Sequence, residues 1–467
     1  MFKINLSQMA ACVEEARLAW LDTDKGPPEP THYAELIAAL EVARMKLPPL
    51  YRTAAAEPFL STLKDLGAAK FAQVLHKDPK RESTAGLMID IAQAILQNGA
   101  GYQATPLDAF QEVISDLYDG FLSAEDRRGV KPPDYEVIAP LVKWGNPDSG
   151  PYTWPVDATQ SFGLRVGVVN LPPANARHGL CAWAALGHEC GGHDILHADE
   201  GLLKELTELV QVALMKAKLG VRIADYWSSR MDETASDVLG VLNLGPAAAI
   251  GLIAYFRGID AALGYGPKLF SDGPADDPHP ADLVRGYVSA EVVRLLLFSS
   301  AGMWADAIVK ETDKDTGKIV LAGNPVTAAQ AKKSAAVVAR TIAATALDAL
   351  DGHAFSEIQN WRDVDELIVA KLMPSLSTTA SLPATYVGGA YAAHVVSAAV
   401  MAALENAAPI PKIFERMIGV LKQMHDGNPS WGPLYVVHPG DIARDFVIGF
   451  RPPASIVAKP SKPRKPS

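Results

Sequence analysis

The stretch AWAALGHECGGHDILHAD, Ala182 to Asp199, decides how the rest of the chain is read. Its apolar opening predicts a helix, and the β-branched run GLRVGVVNLPP before it, Gly163 to Pro173, predicts a strand. On the helix lie His188, Glu189 and His193 in the spacing H-E-x-x-x-H, one residue longer than the H-E-x-x-H of most zinc peptidases. In a regular helix, side chains four apart differ by about 40° and share a face, whereas side chains five apart differ by about 140°. Two imidazoles so spaced reach one metal only if the helix absorbs the extra residue, as a single-turn π-bulge does. Gly191 and Gly192 fall inside the interval, where each costs about 1 kcal/mol relative to alanine and admits backbone conformations that a Cβ resists. A local rule broken beside candidate ligands points to function rather than to helix stability.

A zinc site also requires a third protein donor. RMDETASDVLGVL, Arg230 to Leu242, predicts a second helix with Glu233 and Asp237 four residues apart on one face. His197, four residues after His193, is the alternative donor. Together the two motifs resemble those of the zinc peptidases of the dipeptidyl peptidase III type, which carry H-E-x-x-G-H and, on a later helix, a short acidic motif. The matching residues are His188-Glu189-Cys190-Gly191-Gly192-His193 and Asp232-Glu233-Thr234-Ala235-Ser236-Asp237. The resemblance covers these two short stretches, and it implies that His188, His193 and Glu233 are zinc ligands, Glu189 the general base, and Asp237 the acid that holds a ligand histidine. Two neutral imidazoles and one carboxylate leave a fourth position open for water, the arrangement of catalytic rather than structural zinc. Glu189 would take the proton of that water and pass it to the leaving amine.

Amide hydrolysis also needs a donor to the oxyanion. The segment DDPHPADLVRGYV, Asp276 to Val288, offers His279 or Tyr287 for this, with Arg285 pairing with an acidic group nearby. The strand before the H-E helix is expected to be either internal to a sheet or an exposed edge that pairs with an extended peptide. On the second expectation the peptide runs along Arg165 to Asn170 and meets Arg165, Gly167 and Val169. Cys190 reads as a small buried hydrophobe, and Trp183 and Trp227 as packing for the two motif helices.

Outward from this core, apolar residues recur at three and four from Leu6 to about Asp126, which predicts a helical N-terminal region, residues 1–130. Residues 131–260 form the expected zinc-binding core with a small sheet, and residues 261–457 a helical C-terminal region. The closing KPSKPRKPS, residues 458–467 with the preceding Ala, predicts a disordered tail. The fold class is α+β, mainly α-helical, with a zincin-like metallopeptidase core and a small sheet next to the H-E helix.

With 467 residues, 49% of them hydrophobic, the chain can bury a large core unaided. Its three cysteines are too few for a stapling framework. A net charge of −10 disfavours non-specific binding to nucleic acid or anionic lipid. Glu14 and Glu15 interrupt the place where a signal peptide needs its apolar region, so the expected location is cytoplasmic. Two long uncharged stretches, Val238 to Phe256 and Leu372 to Leu404, are broken by Asn243, Gly245-Pro246, Pro374 and Pro383 and read as buried helices, not membrane spans. The resulting expectation is a zinc-dependent peptidase acting on a peptide substrate. Two alternatives stand beside it: a helical binding or scaffold protein with a residual metal site, and a metal-dependent hydrolase of a non-peptide substrate.

Overall fold

The structure, a computed structural model, describes residues 4–122, 127, 129–135, 138–147, 150–378, 390–405 and 408–431. The tail at 458–467 lies outside the described residues. Helices dominate, and the strands form two small three-stranded sheets. Those that position the site begin with α1 (Met9–Trp20), α2 (Thr84–Ala100) and α3 (Ala104–Leu122). Next come β1 (Ile138–Trp144), β2 (Tyr152–Trp154), β3 (Val166–Leu171) and α4 (Leu180–His188). They are followed by α5 (Met231–Leu244), α6 (Pro246–Ala262), β4 (Asp272–Gly273) and α7 (Asp282–Leu295).

The first sheet has the order β1-β3-β2, with β1 parallel and β2 antiparallel to β3. All residues of β1 and β3 are buried. Alternate side chains explain why. Ile138, Leu141, Val166 and Val168 pack onto the N-terminal helices, whereas Ala139, Val142, Val169 and Leu171 join the main core. That main core draws apolar residues from all three spans distinguished in the sequence. Within it α1 lies along α6, and Trp183 and Trp227 are fully buried.

The central place of β3 corrects the edge-strand expectation. Both of its sides are occupied, Val168 pairing with Leu141 and Trp154, and Val169 with Val142 and Thr153. Neither Gly167 nor Val169 therefore has a backbone edge free for a peptide, and Arg165 uses its own N–H to reach the carbonyl of Ala54. The half-exposed β2 has β3 as its one strand neighbour among the described residues.

α4 follows β3 after a short turn and is preceded by Gly179 at its cap, whose φ of 81° lies in the left-handed region. The Glu15 carboxylate of α1 accepts the first free N–H groups, those of Gly179 and Leu180, where a negative charge also suits the helix dipole. The stretch Val238 to Phe256 falls in α5 and α6, which are buried and separated by Gly245. Among the described residues no helix is long and apolar enough to cross a membrane.

Candidate metal centre

α4 ends at His188, and Glu189–Asp194 continues as a π-helix. This wider turn absorbs the extra residue of the motif. Nε2 of His188 and Nε2 of His193 come within 3.1 Å, with the rings nearly perpendicular at 89°. The glycines act differently from expectation, since neither Gly191 nor Gly192 has a positive φ. Instead, a Cβ on Gly192 would stand 2.3 Å from the Cα of Ser236, so glycine here lets the π-turn touch the α5 backbone.

Three carboxylates reach the histidines from α5. Glu233 places Oε2 3.2 Å from His188 Nε2 and Oε1 3.6 Å from His193 Nε2. Donor atoms of His188, His193 and Glu233 all lie within 4.8 Å of one another and form a group that can hold a metal ion. The outer ring nitrogens are engaged elsewhere. His188 Nδ1 is 2.8 Å from Asp237 Oδ1, and His193 Nδ1 is 3.0 Å from Asp232 Oδ1.

That pairing orients both rings. An ionised carboxylate only accepts, so each Nδ1 presents a hydrogen to it, and a ring without a second proton turns the lone pair of Nε2 toward the centre. Glu233 Oε2 is buried without a hydrogen-bond partner. With no second proton on either ring, three electron-rich atoms face one another, an arrangement that fits a cation. The carboxylates around the rings draw positive charge into the cluster, whether as a proton or as a cation. Burial opposes the charging of His188, yet its bonds to Asp237 and Glu233 outweigh it and raise the imidazole pKa to about 10. Burial likewise opposes ionisation of Glu233, but His188, His193 and Arg285 hold its carboxyl well below the usual range.

Arg285 on α7 grips Asp237 with two bonds, Nε at 2.8 Å and Nη2 at 2.9 Å, while its guanidinium lies 4.6 Å from the centroid of the Phe256 ring. Asp237 therefore joins the His188 imidazole to a buried cation, the kind of support that fixes ring orientation. His279 joins the cluster, with Nε2 3.3 Å from Glu233 Oε1 and Nδ1 2.9 Å from Asp277. Tyr287 does not. Its hydroxyl is 2.8 Å from Asp313 and 3.1 Å from Thr316, because two positions beyond Arg285 a helical side chain has turned by about 200°. His197 is directed to Asp157 at 2.8 Å and to Asp232 at 3.4 Å, outside the three-donor group.

Glu189 is 7% exposed, and Thr153 of β2 donates to its Oε2 at 2.9 Å. Sequence reading missed two participants, Thr153 and the role of Asp232. Asp232 stood inside the acidic motif, directly before Glu233, whereas Thr153 carries no local signal. Cys190 is buried, its Sγ 3.5 Å from the carbonyl of Ile114, and all three cysteines are free.

The fold and site thus define a mainly helical protein with a His-His-Glu group held between two helices. No protein-family model, curated protein or solved structure matches the chain.

Proposed function

We propose that this protein is a zinc-dependent metallopeptidase with a zincin-like core, similar at motif level to the dipeptidyl peptidase III type. The observation that carries the reading is the convergence of His188 Nε2, His193 Nε2 and the orphaned Glu233 Oε2, with both Nδ1 atoms tied to carboxylates. His188, His193 and Glu233 would hold the metal. Zinc bound by such a set polarises a carbonyl and brings the pKa of water to about 7.

The protein's own residues divide the remaining work. Glu189 accepts the proton of the attacking water and delivers it to the leaving amine nitrogen, with the Thr153 hydroxyl steadying its carboxylate. Asp237 and Asp232 keep the two imidazoles in the Nδ1–H tautomer. His279, whose side chain is 53% exposed, stands at the open side of Glu233 and donates to the carbonyl oxygen as it gains charge. β2 favours a peptide substrate, since it can pair with an extended backbone while Thr153 touches the general base.

The test is metal analysis joined to one variant. Purified protein should carry about one zinc per chain, and Glu189→Gln should retain that metal while losing hydrolysis of a peptide library. Native protein that takes up no metal would sink the reading.

A further inference from the structure

Next to the candidate metal centre lies a cavity of about 240 Å³ whose wall is acidic. It opens between α6, β4 and the start of α7. Asp260, Asp272, Asp277 and Asp282 line it, together with His279 and Arg285. The last two also reach Glu233, at 3.3 Å and 3.8 Å, so the cavity shares a wall with the three-donor group. Phe256 and Asp260, four residues apart on one face of α6, supply an apolar side and a charged one.

The carboxylates differ in what they already hold. Asp277 is bonded to His279 at 2.9 Å, and Asp282 accepts the backbone N–H of Phe270 at 3.1 Å. Arg285 is spent on Asp237. Asp260 is 5% exposed, and its Oδ2 is buried without a hydrogen-bond partner. Lys268 attracts it but makes no ion pair with it among the described residues, and Asp282 and Asp315 repel it. A buried carboxylate in that position is costly unless a donor meets it. Burial first, and then the charge of Asp282, push Asp260 up to about 8, which is what a missing counter-charge does.

The geometry points to a subsite for an organic cation, an ammonium or guanidinium group, seated against Asp260 with its carbon stem on Phe256 and its charge balanced by Asp282. The inference rests on the peptidase reading for its meaning, because a substrate held there by its amino terminus or by a basic side chain reaches His279 and Glu233 from a fixed distance. A cationic group bonded to a buried carboxylate contributes more than a neutral hydrogen bond does. A stem of four or five atoms suits the volume.

Binding of small probes separates this subsite from the hydrolytic chemistry. Norleucine amide has a free amino terminus, N-acetyl-lysine amide a side-chain ammonium, and N-acetyl-norleucine amide no charge. Calorimetric titration of the full chain should give at least one of the two cationic probes about ten-fold tighter binding than the neutral one. The tighter probe tells which source of the cation the cavity takes. Asp260→Asn should bring the three probes within about two-fold of each other, and Asp282→Asn, which can still accept from Phe270, should weaken the cationic probes several-fold. Circular dichroism and a thermal melt establish that both variants fold. Cationic and neutral probes that bind alike to the parent protein would overturn the inference, as would a preference untouched by Asp260→Asn. Calcium or magnesium captured at Asp260 in place of the amines would overturn it too, in favour of a metal. Zinc content and the Glu189→Gln assay are read on the same preparations, so a protein that binds amines at Asp260 yet holds no zinc refutes the peptidase reading alone.

Discussion

Two buried charged clusters lie on opposite sides of β2, and they are built to opposite ends. On one side Asp90 of α2 binds Lys143 of β1 and accepts from Tyr152 Oη at 2.8 Å and Trp154 Nε1 at 2.7 Å. These four side chains are all paired with one another. On the other side Thr153, between those two aromatic residues in sequence, meets Glu189, the neighbour of His188 in the His188–His193–Glu233 group, where Glu233 Oε2 is left without a hydrogen-bond partner. The alternation of a strand makes this possible, since Tyr152 and Trp154 face away from Thr153. A closed polar network fixes the strand, and the open one is left free to take up charge. The difference teaches where stability and chemistry are separated in this fold: substitutions in the first cluster should act on folding, and substitutions in the second on metal and turnover.

The strongest challenge to that separation is Glu189→Gln. Losing the carboxylate proposed as general base should lower kcat by about 10²- to 10⁴-fold in a peptide assay, while urea unfolding stays within about 1 kcal/mol of the parent. Large loss of stability would erase the distinction. Asp90→Ala tests it from the other side. It leaves Lys143, 1% exposed, buried without its counter-ion, and should cost about 3–5 kcal/mol in urea unfolding. A metal content that falls with it, in protein still folded, would show the two clusters to be coupled.

Asp237→Asn sharpens the contrast within the open cluster. Taking the negative charge from beside both His188 Nδ1 and Arg285 should weaken metal affinity about 10- to 100-fold, read by competition with a chelator. Unchanged affinity would mean that Asp237 supports only Arg285. The smallest effect is expected from Thr153→Val, which removes one hydrogen bond to Glu189. It should lower kcat/KM about 2- to 10-fold without altering metal content.

Much of the candidate site was legible because it is written at helical spacing. A five-residue step from one histidine to the next demanded an irregular turn, and Glu189–Asp194 is a π-helix. Glu233 and Asp237, four apart, do come to the same ring, that of His188. The mainly helical character with small sheets was legible for the same reason, since apolar periodicity is a local property. What was not legible depends on contacts far apart in sequence. Asp90 and Lys143, or Thr153 and Glu189, meet only through the sheet, and nothing in their own neighbourhoods announces it. Two signals were present but underweighted. The unbroken apolar run Val166 to Val169 fits a strand buried on both faces better than an edge. Likewise, a two-residue step from Arg285 to Tyr287 turns the second side chain away from the first.

The contact between Gly192 and Ser236 has a consequence for how this centre can vary. With only hydrogen between the two backbones, the π-turn rests directly on α5, and that touching point is a gauge for the gap that Glu233 must cross. The first and smallest possible addition, a single methyl at position 192, would prop the two segments apart and carry His193 and Glu233 in opposite directions. The width of the metal seat is thus calibrated by the residue that has no side chain, and any thickening there would be felt by every ligand at once.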